Sequence, residues 1–385
     1  MRWIPMLLIL SLILSGCGQG SKPLPTDPPS LPRETEPPTT QAPETAPTQP
    51  ADPMVQLLES LTLEEKVGQM FLARCPEENA ITDLQTYHLG GYILFGRDFD
   101  GQTPDSLKAT LASYQSAARL PLLLAVDEEG GTVCRVSNHT AFRTQRFPSP
   151  RDAYAAGGLE QAIAAEGEKA GFLVQLGVNV NMAPVCDITT DPKGFLYRRS
   201  LGQSPEETGR FVSGAVAAMH QNGLGCVLKH FPGYGNNADT HTGIARDDRP
   251  LEALENADLV PFAAGIQAGC DAILVSHILV SALDETAPAS LSPAVHDYLR
   301  NTMGFDGVIV TDDLVMEAIT QVYGVGEAAV QAVLAGNDLL CSTEYPVQYA
   351  AVLEAVQRDQ IPEDLINDAV LRILRWKQDL GFFNS

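Results

Sequence analysis

The sequence has few cations, and this shortage argues against one large class of partners. Its 385 residues include 25 lysines and arginines against 48 aspartates and glutamates, a formal net charge of -23. Proteins that bind the phosphates of nucleic acids depend on clustered Lys and Arg. We therefore expect no nucleic-acid partner, and we interpret the acidic balance as solubility at a cell surface.

Cysteine and metal-binding motifs are also scarce. The seven cysteines form no C-x-x-C pair, and no H-E-x-x-H motif occurs. Several cysteines lie in apolar, strand-like runs such as MAPVCD and GCVLKH, where a free thiol behaves as a small buried hydrophobic group. The sequence therefore predicts free thiols rather than a disulfide framework, no structural zinc site, and no metal or organic cofactor.

The N-terminus has the pattern of a lipoprotein signal peptide. Arg2 precedes an apolar run from Ile4 to Leu14, which is too short to span a bilayer and is typical of a secretory signal. The tetrad Leu-Ser-Gly-Cys that ends at Cys17 resembles a bacterial lipobox. We predict a signal peptide over residues 1–17, lipidation of Cys17, and an extracytoplasmic protein anchored to the membrane at the bacterial cell surface. The alternative is an ordinary signal peptide with a chance cysteine.

Residues 18–53 are rich in Pro, Thr, Ser and Glu and nearly free of large apolar side chains. Such a composition cannot bury a core, and its prolines keep the chain extended, so we predict a disordered stalk. The apolar runs from residue 54 onward are ample for one large core. We expect a single folded domain over residues 54–385, present as a monomer.

From residue 54 onward, short β-branched runs alternate with longer stretches rich in Ala, Leu and Glu. Eight runs are predicted as strands: Gly68–Ala73, Gly91–Phe95, Leu122–Asp127, Val178–Val185, Cys226–His230, Ala272–His277, Val308–Asp312 and Asn337–Cys341. Helices are predicted between or after them at Pro104–Ala118, Gly158–Leu176, Glu206–Gln221, Leu254–Ala268, Ser292–Met303 and Tyr349–Gln357. This order favours a parallel α/β fold, a (β/α)8 TIM-type barrel in particular. A doubly wound open sheet is the alternative, because periodicity alone cannot decide closure.

Five of the predicted strands end in polar side chains. They are Asp127, Asp187, Lys229 with His230, His277, and Asp312 with Asp313. The carboxyl ends of parallel barrel strands face one mouth, where the active site lies, so we expect these side chains to converge there. A single Asp at such a position usually caps the following helix, but five polar ends are harder to explain as caps alone.

One Gly- and Asn-rich loop, KHFPGYGNNADTHTGIA, places Asp239 two residues before His241. A carboxylate bonded to one ring nitrogen of a histidine fixes the tautomer, so that the other nitrogen can give or take a proton near neutral pH. A lone D-x-H would more often be turn chemistry. The polar strand ends favour the catalytic interpretation.

These segments together resemble glycoside hydrolase family 3, and within it the single-domain β-N-acetylhexosaminidase branch. The shared markers are VDEEGG followed by Arg135, NMAPVCD, RRSLG, KHFPGYG with the D-x-H, SHI and TDDLVM, within Leu57 to Leu380. One departure is Tyr234, where many members of this branch have histidine in KHFPGHG. Three catalytic residues follow from the resemblance: Asp312 as nucleophile, His241 as general acid/base and Asp239 as the partner that orients it. The residues implied for holding the sugar hydroxyls are Asp127, Arg135, Arg199, Lys229 and His230.

The implied function is that of a retaining, exo-acting β-N-acetylglucosaminidase, which hydrolyses terminal β-linked N-acetylglucosamine through a glycosyl-aspartate intermediate. Retaining hydrolysis usually employs two carboxyl groups about 5 Å apart, and here a histidine would replace the second. The alternatives are a β-glucosidase, an N-acetylglucosaminide phosphorylase, or a lipoprotein sugar-binding receptor. A peptidoglycan fragment, chitobiose and a host glycan all remain open as the carbohydrate substrate.

Overall fold

The computed structural model describes residues 52–237, Gly243 and residues 245–383. The predictions for the signal peptide with Cys17, for most of the stalk, and for Asp239 and His241 therefore lie outside the described residues. Within the described ranges, no helix combines the length and apolar character that a membrane span requires.

Twelve strands occur in the described residues. They are β1 (Phe71–Arg74), β2 (Gly91–Leu94), β3 (Leu123–Val126), β4 (Glu128–Gly130), β5 (Val133–Cys134), β6 (Val180–Asn181), β7 (Gly225–Phe231), β8 (Arg246–Asp247), β9 (Ala272–Val275), β10 (Leu279–Val280), β11 (Val308–Thr311) and β12 (Leu340–Ser342). Eight of them form one sheet in the order β11-β9-β7-β6-β3-β2-β1-β12, and each neighbouring pair is parallel. A parallel bridge between Val310 and Leu339 joins the two ends of this order. The predicted (β/α)8 barrel is thus confirmed, and the open-sheet alternative is wrong.

Thirteen α-helices occur in the same residues. They are α1 (Pro53–Glu59), α2 (Leu63–Gln69), α3 (Ala80–Tyr87), α4 (Pro104–Ala117), α5 (Pro150–Gln175), α6 (Pro205–Gln221), α7 (Leu251–Glu255), α8 (Leu259–Gln267), α9 (Pro293–Asp297), α10 (Glu317–Thr320), α11 (Val325–Ala335), α12 (Tyr345–Gln357) and α13 (Glu363–Asp379). At least one helix connects each barrel strand to the next along the chain. This is the right order for parallel neighbours, which need a crossover connection.

Several helices start at a hydroxyl residue followed by proline. Thr103, Ser149 and Ser204 each accept a hydrogen bond from a backbone N–H in the first turn, and a proline follows each of them. The hydroxyl satisfies an N–H that the helix leaves unpaired, and proline suits the next position because it has no N–H to satisfy. These local signals set where the crossover helices begin, and hence how they pack on the barrel.

The core is the barrel wall together with the inner faces of the helices. All residues of β2, β3, β7, β9 and β11 are buried, in agreement with their continuous apolar sequences. The six cysteines within the described residues are free, and five of them are buried. The expectation of buried thiols therefore agrees with the structure in this part of the chain.

Some predicted boundaries are wrong. The first strand begins at Phe71 because Gly68 and Gln69 belong to α2, which starts at a capping box formed by Thr62 and Glu65. The predicted helix over 254–268 is two helices, α7 and α8, and the one over 292–303 is α9 followed by a π-helical turn at Tyr298–Thr302. Helix α5 starts earlier than predicted and is interrupted at Gly157 and Gly158, which have non-helical backbone angles.

Two short pairings lie outside the barrel, in the connections that follow its strands. The antiparallel pair β4–β5 follows β3, and the parallel pair β8–β10 joins the connection after β7 to the one after β9. Arg249, just beyond β8, bonds to Asp247 and to Asp258 at 2.6 and 2.7 Å. These contacts fix the chain where it returns from the D-x-H loop.

Candidate active site

A cavity of about 460 Å³ opens where the barrel strands end. Its walls include residues at the carboxyl ends of six strands: Arg74, Phe95, Asp127, Lys229 with His230, Asp312 and Thr343. Six residues predicted for the site all line it, namely Asp127, Arg135, Arg199, Lys229, His230 and Asp312. The barrel therefore brings residues from distant parts of the sequence to one cavity. Their individual roles remain predictions.

A buried charge network forms one wall of the cavity. Lys229 Nζ lies 2.6 Å from Asp127 Oδ1 and 2.7 Å from Glu129 Oε1. Arg199 donates two hydrogen bonds to Glu129, from Nε to Oε2 at 2.8 Å and from Nη2 to Oε1 at 2.7 Å. Glu129 thus holds two cations at once, and the bidentate geometry fixes the plane of the guanidinium.

The network keeps its central groups charged. Burial alone would raise the pKa of Glu129, but the charges of Lys229 and Arg199 outweigh it and hold that pKa well below its ordinary value. Burial would likewise lower the pKa of Lys229, and the carboxylates of Asp127 and Glu129 outweigh it, so this pKa is raised. Fixed charges in a site of low dielectric bind and orient hydroxyl groups strongly.

Side chains that bond to the backbone of Glu128 and Glu129 hold the network in position. Lys169 on α5 donates from Nζ to the Glu129 carbonyl at 2.7 Å, and the Asn181 amide bonds to both the N–H and the carbonyl of Glu128 at 2.9 and 3.0 Å. The Glu128 carboxylate accepts from the Val136 N–H at 2.7 Å and from the Ser137 hydroxyl. The two adjacent glutamates therefore have separate tasks: Glu128 orders the connection and Glu129 orders the cations.

His230 is held between a carboxylate and a guanidinium, which orient its ring. Its Nδ1 lies 2.8 Å from Asp187 Oδ2, and its Nε2 lies 3.1 Å from Arg199 Nη2. Because a carboxylate only accepts and a guanidinium only donates, Nδ1 carries the hydrogen and Nε2 accepts. Asp187 also accepts the Tyr234 N–H at 2.9 Å, so the strand-end aspartate orients His230 and the loop after it. The Tyr234 ring packs edge-on against His230 and Phe195.

Asp312 and Asp313 follow β11 and have different surroundings. Asp312 Oδ1 accepts the N–H of Asp313 at 2.9 Å, and the Asp312 side chain lines the cavity. The Asp313 carboxylate accepts from the hydroxyl and the N–H of Thr343 at 2.5 and 3.2 Å and from the Val315 N–H at 3.3 Å. Asp313 thus joins the ends of β11 and β12, and helix α10 begins only at residue 317.

His277 supports this connection without lining the cavity. Its Nε2 lies 3.0 Å from the Asp313 carbonyl and its Nδ1 lies 2.7 Å from the Ser290 hydroxyl. A carbonyl only accepts, so Nε2 donates this hydrogen bond. His277 therefore fixes the backbone immediately after Asp312. The expectation that this strand-end histidine lines the cavity with the others is wrong, because its ring is turned to the Asp313 carbonyl and to Ser290.

The predicted acid/base pair, Asp239 and His241, lies outside the described residues. The chain before it is anchored: Asn236 Oδ1 accepts from the Thr189 hydroxyl and the Thr190 N–H at 3.0 and 3.1 Å. On the far side of this segment, Arg249 bonds to Asp247 and Asp258, so the described chain is held by side-chain contacts both before and after it.

Three of the cavity residues that sequence reasoning missed carry charge or hold a charged group. Glu129 is the second acid of VDEEGG and sits one residue past the strand-end Asp that was singled out. Arg74 ends β1, and Phe95 follows β2. The Arg74 guanidinium lies 4.6 Å from the centre of the Phe95 ring, and that of Arg135 lies 5.3 Å from it. The strand-end rule would have found Arg74 had β1 been extended by one residue.

Among the described residues, one group has the geometry to hold a metal ion: His220, Cys226 and Asp271. It lies at the amino ends of β7 and β9, the opposite end of the barrel from the cavity. His220 Nε2 is already 2.8 Å from Asp271 Oδ2, and this hydrogen bond is the main cause that raises the pKa of His220.

Comparison with known proteins gives concordant matches. The model of the glycosyl hydrolase family 3 N-terminal domain matches residues 62–376. A beta-hexosaminidase of Tolumonas auensis is 35% identical over 274 residues, which span 70% of this chain and 80% of that protein. A beta-hexosaminidase of Xylella fastidiosa is 37% identical over 269 residues, spanning 68% and 78% respectively.

Solved structures show the same similarity. A glycoside hydrolase family 3 beta-N-acetylglucosaminidase from Paenibacillus sp. superposes with a TM-score of 0.79 at 36% identity, covering 84% of this chain and 63% of that one. This chain thus spans less than two thirds of that protein. A beta-N-acetylhexosaminidase from Beutenbergia cavernae superposes with a TM-score of 0.74 at 29% identity, covering 83% of this chain and 99% of that one.

Proposed function

The chain belongs to glycosyl hydrolase family 3 and is a glycoside hydrolase, and from this premise we propose that it is a retaining, exo-acting β-N-acetylglucosaminidase. It would hydrolyse terminal β-linked N-acetylglucosamine through a glycosyl-aspartate intermediate. The observation that carries the proposal is that the Asp312 carboxylate lines the same cavity as the buried cluster of Asp127, Lys229, Arg199 and His230. The names of the similar proteins support the choice of sugar.

In the first step, an Asp312 carboxylate oxygen bonds to the anomeric carbon while the bond from that carbon to the leaving oxygen breaks. His241 gives its proton to the leaving oxygen, and Asp239 orients the ring and stabilises its charged form. In the second step, water attacks the anomeric carbon, His241 takes the proton from water, and the bond to Asp312 breaks. The sugar leaves with its original anomeric configuration.

The charged wall suits the non-reacting part of the sugar. Asp127 presents a carboxylate that accepts from hydroxyl groups, whereas Lys229, Arg199 and Arg135 present donors. Because these groups already hold one another, little reorganisation is needed when the sugar binds. This arrangement supports recognition of one terminal sugar, as an exo-acting enzyme requires.

The class and the substrate can be tested together. Protein lacking residues 1–51 is incubated with aryl β-glycosides of N-acetylglucosamine, glucose and galactose, with and without phosphate. We expect release from the N-acetylglucosaminide alone, at a rate that phosphate does not change. Phosphate-dependent release of a sugar 1-phosphate would instead identify a phosphorylase. Release from the glucoside would identify a β-glucosidase, and binding without turnover would identify a receptor.

The two catalytic roles are separable. Asp312→Ala should lower kcat by several orders of magnitude for every leaving group, because no covalent intermediate can form. His241→Ala should still form the intermediate from a 2,4-dinitrophenyl N-acetylglucosaminide, which needs little protonation, and then stall. A burst, a mass increase of one sugar and acceleration by azide are expected, with Asp239→Asn as a milder version. Unaltered turnover and no adduct in His241→Ala would remove His241 from the mechanism.

We also propose that the enzyme is a lipoprotein, held at the cell surface through lipid on Cys17. The basis is the lipobox-like tetrad and the Pro- and Thr-rich segment that follows it.

A further inference from the structure

The amino end of the barrel carries three side chains of the kinds that bind metal ions. His220 lies in the last turn of α6, Cys226 is the second residue of β7, and Asp271 directly precedes β9. One ligand atom from each lies within 4.8 Å of the other two, and the described residues contain no other such group. A histidine nitrogen, a thiolate and a carboxylate oxygen together form a donor set that suits Zn²⁺.

The spacing of these atoms is close to that of a zinc coordination shell. His220 Nε2 lies 2.8 Å from Asp271 Oδ2 and 3.8 Å from Cys226 Sγ. In a tetrahedral zinc site these two separations would be about 3.3 and about 3.6 Å, because bonds from zinc to nitrogen and oxygen are about 2.0 Å long and those to sulfur about 2.3 Å. An ion therefore needs shifts of roughly 0.5 Å at most, and it replaces the hydrogen bond between His220 and Asp271.

Two of the three ligands are fixed by the barrel itself. Asp271 Oδ2 accepts the Cys226 N–H at 2.8 Å, and the Asp271 carbonyl accepts the Val308 N–H at 3.0 Å. Cys226 is buried, whereas the His220 side chain is 36% exposed. The group is thus preorganised on its inner side and reachable from solvent beside His220, where an ion can enter and a water molecule can complete the tetrahedron.

The charges around the group favour a cation. Asp379, the last residue of α13, is a further carboxylate nearby. Burial and the charge of Asp271 raise the pKa of Asp379, and the charge of His220 opposes this rise. A divalent ion bound to Asp271 would relieve the repulsion between the two carboxylates.

We propose that His220, Cys226 and Asp271 form a binding site for a zinc ion, with a water molecule as the fourth ligand. The ion ties the end of α6 to the starts of β7 and β9, so it stabilises the fold. The cavity lies at the opposite end of the barrel, and the ion takes no part in glycoside hydrolysis. Sequence motifs did not predict this site, because Asp271 is 45 residues beyond Cys226 and the spacing of the three ligands matches neither C-x-x-C nor H-E-x-x-H.

Cobalt(II) is the probe for the test, because it accepts the tetrahedral geometry of zinc and gives a near-ultraviolet charge-transfer band when a thiolate binds it. The protein is the full chain purified in detergent, with Cys17→Ser in every sample so that the thiols are those of the barrel domain. We expect one equivalent of cobalt to bind with this band, and zinc to displace it. In Cys226→Ser the band should be absent, and in His220→Gln the affinity for cobalt should fall at least about 100-fold.

Cys270→Ser and His139→Gln are the matched controls. Cys270 is a buried thiol adjacent to Asp271 in sequence but outside the group. His139 has a carboxylate neighbour, with Nδ1 3.5 Å from Asp100 Oδ1, and is also outside the group. Both variants should keep the band and the affinity of the unaltered site.

Thermal unfolding with and without zinc distinguishes an ion site from a simple hydrogen bond between His220 and Asp271. Zinc at about 100 times its dissociation constant should raise the unfolding midpoint of the controls by roughly 4 °C, and that of His220→Gln by less than about 1 °C. His220 is partly exposed at a helix end, so this variant is expected to fold even where Cys226→Ser does not. A band that survives in Cys226→Ser, zinc stabilisation that survives in His220→Gln, or no binding of cobalt to the unaltered site would each overturn the proposal.

Discussion

Glu129 is the residue on which the geometry of the cavity most depends. It is 1% exposed, and both Lys229 and Arg199 bond to its carboxylate. Removing one partner of a buried ion pair leaves the other charge uncompensated, which typically costs about 3 to 5 kcal/mol. Lys229 on β7 and Arg199 in the connection after β6, both proposed to bind the sugar, would then lose the carboxylate that holds them together.

We expect Glu129→Gln to lower both the free energy of unfolding and kcat/KM, the latter by at least about 100-fold, since misplaced binding groups weaken transition-state contacts. The pKa of Glu129 is held low in the folded state, so its stabilising contribution is present above its unfolded value of about 4.3 and is lost as the pH falls toward the folded value. Urea unfolding should therefore show a full difference between the two proteins at pH 6 that shrinks on acidification.

The control for this change is Glu128→Gln, at the adjacent and equally buried position. Within the described part of the chain, Glu128 bonds to Val136 and Ser137 and to no cation. Its variant should therefore lose stability with a much smaller loss of kcat/KM per folded molecule. Equal catalytic losses in the two variants would contradict the assigned division of tasks.

At the level of elements, the sequence was most informative where the physical signal was local. Continuous apolar runs located all eight barrel strands, and polar residues at their ends located Asp127, Lys229, His230 and Asp312. Breaks inside helices were missed, because the separation of α7 from α8 does not disturb an apolar periodicity. Arg74 and Glu129 were missed because a single basic residue, or the second of two consecutive acidic residues, usually indicates a surface position in a sequence. Only the folded structure shows that Arg74 Nε is buried without an acceptor among the described residues and that Glu129 holds two cations.

Helix α13 carries a buried lysine at the amino end of the barrel. Lys377 is fully buried and donates from Nζ to Gln69 Oε1 at 2.7 Å, and burial lowers its pKa to about 7. Between this value and the unfolded value of about 10.4, the unfolded chain binds a proton that the folded chain does not. Stability should therefore rise with pH across this window, by up to about 1.4 kcal/mol per pH unit.

In Lys377→Met this rise should be absent, whereas Lys108→Met, an exposed lysine on α4, should keep it. The free energy of unfolding from urea titrations at pH 7, 8 and 9 measures the slope for each protein. Parallel curves for the unaltered protein and Lys377→Met would show that Lys377 stays charged in the folded state.

On the scale of the whole molecule, the two ends of the barrel differ in chemistry. The cavity lies at the carboxyl ends of the strands, whereas the His220, Cys226 and Asp271 group lies at the amino ends. The proposed Asp and His pair supplies both the nucleophile and the proton, so we expect activity on an aryl N-acetylglucosaminide to survive exhaustive chelation. A loss of activity that a divalent ion restores would contradict this expectation.

The last prediction concerns the connection between anchoring and catalysis. All described residues that line the cavity lie between positions 74 and 343, so a change at Cys17 should move the protein without changing its chemistry. Firm anchoring takes two or more acyl chains, as bacterial lipoproteins provide, and Cys17→Ser would remove the site of their attachment. In a host that processes lipoproteins, we expect this variant to shift from the membrane to the soluble fraction with unchanged kcat/KM.

The control is Cys134→Ser, which replaces a partly exposed cysteine within the barrel domain and should remain in the membrane fraction. If Cys17→Ser also remains there, the anchor is not a lipid on this residue.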